Sequence, residues 1–222
     1  MTIMTPEEWG NIYKENQKEY EDFRSQMENL ILRLMHSNGI DASQITSRTK
    51  NIDSFVEKIK RKNYENPLTQ CTDLVGIRII VYYLEDLNKI SEIIEKEFNV
   101  DYGNSINKLE TLDPDRFGYR SIHYVVGISI TRSSETEWRS YTNFKAEIQI
   151  RTVSQHAWAE IDHKLIYKQN REVPKDLRRK LSRLIALLEL ADEQFRDILV
   201  GTVFAGPKLT PRADPILTPY LS

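Results

Sequence analysis

Apolar residues recur at near-helical spacing through Trp9, Ile12, Tyr13, Tyr20, Phe23, Met27, Leu30, Ile31 and Leu34, until Ser37-Asn38-Gly39 stops the pattern. Thr5, followed by Pro6, Glu7 and Glu8, supplies a capping hydroxyl, a proline for the first helical position and an acidic first turn. One long amphipathic N-terminal helix is the expectation. Residues 47–62 read as a short extended piece entering a second helix, whose apolar face is Ile52, Phe55, Val56 and Ile59. After a turn at Asn66-Pro67, residues 74–82 are rich in β-branched side chains and apolar on both faces, the signature of a central strand. Residues 85–97 return to helical spacing through Leu87, Ile90, Ile93 and Ile94, and 98–102 fit an edge strand. The polar, turn-rich stretch 103–118 is expected as a loop over a site.

Two more strands follow. In residues 117–126, Tyr119, Ser121 and His123 share one face, while Ile122, Tyr124 and Val126 share the other. In residues 144–151, Phe144, Ala146, Ile148 and Ile150 form an apolar face, and Lys145, Glu147, Gln149 and Arg151 a polar one. A hydrophilic loop at 131–142 is expected to join them. Residues 153–168 look helical, with Ala157, Trp158, Ile161 and Leu165 as one stripe and His156, Glu160, His163 and Tyr167 as another. Pro174 opens a last helix with a seam of Leu177, Leu181, Leu184, Leu188, Ala191 and Phe195, suited to packing on the first helix or on a partner. From Gly201 on, Pro207, Pro211, Pro215 and Pro219 replace any periodicity, as in a linker or docking tail.

The elements predict an α+β fold, with a mixed, mostly antiparallel sheet of about five strands flanked by helices. The expected organisation is a helical extension at 1–44 packing on the core, a main domain at 45–200 and a Pro-rich tail at 201–222.

Composition narrows the classes. With 31 Lys+Arg against 33 Asp+Glu, no global field favours nucleic acid, so such a partner needs a local patch. Cys71 is the only cysteine, which excludes an intramolecular disulfide and a Cys-rich zinc site and fits a reducing compartment. The first residues lack a signal-peptide pattern, and no apolar run approaches the roughly 20 residues of a membrane span. A cytoplasmic protein without a membrane partner is expected.

The candidate chemistry lies on the polar strand faces. A carboxylate flanked by cations, as in Lys145, Glu147, Gln149 and Arg151, suits a place where phosphate and metal meet. Arg78, inside an apolar strand, is costly unless it meets an anion. Asp73, just before it, could be an ordinary residue at a strand start. Arg48 and Lys50 lead into a helix carrying Ser54 and Lys58 four apart, either a solvated basic face or a cradle for a polyphosphate. Arg178, Arg179, Lys180 and Arg183 form a compact basic patch with the same two readings. His156, Glu160 and His163 invite a zinc reading, but the His-Glu-x-x-His order is absent, so supporting or packing roles are expected.

Four stretches resemble, in order and spacing, the synthetase domain of the RelA/SpoT family. They are Ser47-Arg48-Thr49-Lys50 with Ser54 and Lys58, Asp73-Leu74-Val75-Gly76-Ile77-Arg78, Gly118-Tyr119-Arg120-Ser121-Ile122-His123, and Glu147-Ile148-Gln149-Ile150-Arg151-Thr152. The resemblance covers about residues 45–195, and no hydrolase-type sequence precedes it, as in the small, single-domain members. It implies transfer of the β,γ-pyrophosphate of ATP to a 3′-hydroxyl. It further implies that Asp73 and Glu147 hold Mg²⁺, that Arg48, Lys50, Ser54, Lys58 and Arg78 bind ATP, and that Glu147 or a metal-bound water is the base. Tyr119 would stack on the acceptor base, with His123, Arg116 and Gln149 also at the acceptor.

One departure bears on the acceptor. Guanosine-using members carry a Pro-Lys-x-Asn-Gly-Tyr run, whereas this chain has Asp115 at the lysine position and Phe117 at the asparagine position. Loss of a polar partner for guanine shifts acceptor preference. The pattern is similar to the toxic branch that modifies the 3′-CCA end of tRNA, with the basic patch at Arg178, Arg179, Lys180 and Arg183 as the tRNA surface and an antitoxin protein or fused antitoxin domain as a partner. The alternatives are a GDP/GTP or adenosine-nucleotide pyrophosphokinase making alarmones, and an inactive nucleotide-binding homologue.

Overall fold

In the computed structural model, residues 4–107, 121–164 and 175–204 are described. The elements in order are α1 (Pro6–Glu15), α2 (Gln17–Ser37), β1 (Ala42–Thr49), α3 (Ile52–Lys62), α4 (Pro67–Gln70), β2 (Val75–Val81), α5 (Leu84–Glu97), β3 (Phe98–Val100), β4 (Ile106–Asn107), β5 (Ile122–Ile128), α6 (Ile130–Ser133), β6 (Ala146–Thr152), α7 (Val153–Asp162) and α8 (Lys175–Phe204). The sheet runs β1-β2-β6-β5-β3, with the two-residue β4 also on β5. Among the described residues, β2–β6 is the one parallel pairing and the others are antiparallel. This is the expected α+β architecture. β2 lies inside the sheet, and its Val75, Ile77 and Ile79 are buried.

The N-terminal region is two helices rather than one. Thr5 forms a full capping box with Glu8, as its sequence predicts, but α1 ends at Asn16, whose Nδ2 donates to the Ile12 carbonyl at 2.8 Å. Such a local side-chain bond competes with helix continuation. The break lets the two segments find different partners. α1 lies on α3, where Gly10 permits close approach: a Cβ there would stand 2.7 Å from Val56 Cγ2. α2 lies on β1 and buries Tyr20, Phe23, Met27, Leu30 and Ile31. Both helices therefore belong to the main core. β1 begins at Ala42, earlier than the extended piece expected at 47, because its mostly polar sequence conceals a strand that hydrogen-bonds along the edge of β2.

The joining stretch 131–142 is not simply a hydrophilic loop. It contains the end of α6 and a 3-10 turn at Arg139–Tyr141, and it buries Trp138 and Tyr141. Tyr141 packs on Phe23 at a ring distance of 5.3 Å. On α7, Trp158 is buried but Ile161 is about half exposed, and the expected helical residues from 165 on lie outside the described residues. α8 runs through Phe204, past the expected boundary at 201; residues 205–222 lie outside the described residues.

The seam of α8 also differs. Leu177, Leu184 and Phe195 are about half exposed, and the packed side presents Ile185 and Asp192 to α7 and α5. A polar residue faces inward because the Thr152 hydroxyl, buried at the start of α7, donates to Asp192 Oδ2 at 2.6 Å. Burial pushes the Asp192 carboxyl up, and the Thr152 bond opposes this only in part. A folded-state value above the unfolded one means that Asp192 costs stability as pH rises from the ordinary carboxylate range through the raised value. Comparing wild type with Asp192→Asn by urea unfolding as the pH is raised above the ordinary carboxylate range should shift the stability difference toward the variant. A difference that does not change with pH would contradict this.

Candidate active site

The register brings the chemistry into rows across one sheet face. Thr46, Arg78, Gln149 and His123 stand side by side on β1, β2, β6 and β5; Arg48, Gly76, Glu147 and Val125 form the next row. β1 is held so that Thr46 and Arg48 face this surface, because the intervening Ser47 accepts from Arg24 Nη1 at 2.6 Å and Thr49 donates to Glu21, both on α2. A cleft of about 670 Å³ opens over the rows, lined by Arg48, Asp73, Arg78, Glu147 and Gln149 among others. A larger adjoining recess shares Arg48 and Asp73 and adds Lys50, Ser54, Glu57, Lys58, Arg61 and His163. Together they have the size and polarity of a site for a charged, nucleotide-sized ligand.

Asp73 is clamped. Lys50 Nζ reaches its Oδ2 at 2.8 Å, Lys58 Nζ its Oδ1 at 2.9 Å, and the buried Cys71 thiol approaches Oδ1 at 3.1 Å. Burial alone would raise the Asp73 carboxyl, but Lys50, Cys71 and Lys58 outweigh it and hold the group far below the ordinary carboxylate range. Burial and the neighbouring Asp73 push the Cys71 thiol up to about 12, so it stays protonated and donates. Lys58 is raised despite its burial because of Asp73. The position of Lys50 is set by its backbone, whose N–H donates to Leu74 at 2.8 Å and whose carbonyl accepts from Tyr13 at 2.9 Å. Asn51 then caps α3 by accepting from the Asp53 and Ser54 N–H groups.

Glu147 pairs with His123, whose Nδ1 donates to Oε1 at 2.9 Å. Burial would raise this carboxyl too, yet the hydrogen bond and charge of His123 bring it below its usual value. The other ring nitrogen of His123, Nε2, is buried without a partner among the described residues. The nearby Asp73 charge works against the lowering by His123 and raises the ionisation cost of Glu147. Two hard oxygen donors on one phosphate-sized cleft fit Mg²⁺, which binds through one or two carboxylates and completes its shell with phosphate and water. Among the described residues no group of three or more His, Cys, Asp or Glu is placed to hold a metal.

The structure thus collects Arg48, Lys50, Ser54, Lys58, Asp73, Arg78, Glu147, Gln149 and His123 around two joined cavities. Arg179, Lys180 and Arg183 sit on an exposed side of α8 and line neither cavity. Tyr119, Arg116, Asp115 and Phe117 lie outside the described residues, as does most of the expected loop at 103–118. Cys71, read only for its redox meaning, and Arg61 were not picked out in the sequence as site residues. Arg61 follows Lys58 by three on α3 and so shares its face, a signal that helical spacing could have supplied; Cys71 had none.

A sequence profile described as "Region found in RelA / SpoT proteins" matches residues 47–172. The chain belongs to the RelA/SpoT family. Among curated RelA/SpoT relatives, the GTP pyrophosphokinase YwaC of Bacillus subtilis (strain 168) is 30% identical over 156 residues, covering 68% of this chain and 71% of that protein. The GTP pyrophosphokinase YjbM of the same organism is 28% identical over 158 residues, covering 69% and 70%. Among solved structures, the small alarmone synthetase 2 from Bacillus subtilis superposes with a TM-score of 0.69 at 26% identity, over 85% of this chain and 98% of that one. A GTP pyrophosphokinase family protein from Streptococcus pneumoniae shares the fold with a TM-score of 0.71 at 22% identity, over 90% and 98%. No helix among the described residues is long and apolar enough to cross a membrane.

Proposed function

We propose that this chain transfers the β,γ-pyrophosphate of ATP to the 3′-hydroxyl of a guanosine nucleotide, GDP or GTP. That it is a pyrophosphokinase follows from its family and from the activity named for both curated relatives. The observation that carries the reading is the pairing of two ionised carboxylates, Asp73 and Glu147, with the cations Arg48, Lys50, Lys58 and Arg78 on a shared cleft. Phosphoryl-type transfer asks chiefly for positioning and charge neutralisation, and this set supplies both.

Lys50 and Lys58 each give one N–H to Asp73 and keep further donors for phosphate oxygens. Arg48, Arg78 and Ser54 complete the ATP site. Mg²⁺, held by Asp73 and Glu147, would neutralise charge developing on the transferred group. Glu147 takes the proton of the acceptor 3′-hydroxyl, its carboxylate kept ionised and oriented by His123. His123 Nε2 and Gln149 serve the acceptor; the roles of Tyr119 as the stacking residue and of Arg116 as an acceptor ligand rest on the family resemblance alone.

A second reading, the 3′ end of tRNA as acceptor with an antitoxin as partner, draws support from Asp115 and Phe117 at the positions of the family's lysine and asparagine, and from the exposed Arg179, Lys180 and Arg183. Incubation with γ-³²P-ATP, Mg²⁺ and either GDP, GTP, ATP or bulk tRNA separates the readings. Label in GDP or GTP is expected. Label confined to tRNA would replace the guanosine reading by the second, and no transfer to any acceptor would overturn both.

A further inference from the structure

Arg78 does not enter the cleft unaccompanied. Its Nη1 donates to Glu160 Oε1 at 3.1 Å, across 82 positions of sequence. Glu160 stands on α7, whose start is fixed by the capping box of Thr152 with Gln155 and whose Trp158 is buried. His156 and Glu160 stand four apart and so share one side of that helix, and both interact with Arg78 on β2. Glu160 takes a single N–H of the guanidinium, and Arg78 Nε is buried with no partner among the described residues. A guanidinium has five donors in a rigid fork, so anchoring one edge aims the others.

We infer that Glu160 is a positioning residue for ATP: by holding one edge of the Arg78 guanidinium against α7, it presents the remaining donors of Arg78 to the bound nucleotide. Its pre-organisation of Arg78 saves the rotamer entropy that a long side chain otherwise loses on binding. The inference rests on the reading of Arg78 as an ATP ligand, and it is independent of which acceptor is used. Glu160 itself is half exposed at the cleft's border, so its replacement leaves the core intact.

The test is a double-mutant cycle on Arg78 and Glu160, read as the dissociation constant for a non-hydrolysable ATP analogue by calorimetry and as KM for ATP against kcat. Glu160→Ala is expected to weaken analogue binding and raise KM for ATP roughly tenfold, with the effect on KM rather than kcat. Glu160→Asp should restore part of the loss. The effect should disappear in an Arg78→Ala background, because Glu160 acts only through Arg78. Thermal unfolding of Glu160→Ala should match wild type. Unchanged affinity in Glu160→Ala, an undiminished loss in the Arg78→Ala background, or tighter binding, which would make Glu160 a competitor for Arg78, would each overturn the inference alone. Undiminished affinity in Arg78→Ala would instead remove Arg78 from the ATP site and the inference with it.

Discussion

Glu147→Gln is expected to lower kcat by about 10²–10⁴-fold while leaving the fold unchanged. Glutamine has the same shape and its carbonyl oxygen can still accept from His123 Nδ1, so the 2.9 Å contact and the buried environment persist. What disappears is the negative charge, and with it both the proton acceptor facing the cleft and one of the two carboxylates for Mg²⁺. Because the carboxyl is held below its usual value, it is already ionised at neutral pH, and the loss should not be rescued by raising the pH. Single-turnover transfer from ATP, with circular dichroism and thermal unfolding as controls, measures this. A variant keeping more than about a tenth of wild-type kcat would remove Glu147 from the base role.

Asp73→Ala is expected to abolish transfer and also to destabilise the chain by about 3–5 kcal/mol, a combination that Glu147→Gln should not show. The reason lies in the clamp: Lys50 and Lys58 are mostly buried and each is held by a short contact to Asp73, so removing the carboxylate leaves two ammonium groups close together without a counter-charge. Urea unfolding measures the stability loss. Adding Lys58→Met should recover a good part of the stability, since it removes one stranded charge, but none of the activity. If Asp73→Ala alone were as stable as wild type, the clamp would be a solvent-screened contact and the electrostatic account of Asp73 would fail.

The alternation of β6 could be read directly: Glu147 and Gln149 share a face because successive strand residues point to opposite sides, and the structure places both on the cleft. The same holds for His123, and for the Thr5 cap and the Asn66-Pro67 turn, which starts α4. Helix spacing left open whether the last seam meets the first helix or a partner. On α8 the leucine seam satisfied a heptad rule, yet the helix turned Ile185 and Asp192 inward, because a buried threonine hydroxyl 40 positions earlier captures the carboxylate. Trp138 was hidden in a stretch whose composition is otherwise that of a loop, and its burial depends on packing from distant elements.

For the site, the sequence by itself determined the inventory and the facing of side chains within each strand, and its motifs pointed to the family. Local periodicity is set by backbone geometry, and so it can be read without knowing the neighbours. Only the tertiary structure decided that Thr46, Arg78, Gln149 and His123 form one row, that Lys50 and Lys58 converge on Asp73, that His123 orients Glu147 and that Glu160 reaches Arg78. These contacts join residues 15 to 82 positions apart, and they exist because β2 pairs in parallel with β6 while β1 and β5 flank them in antiparallel register. A shift of one residue in any of those pairings would turn the same side chains to the other face of the sheet.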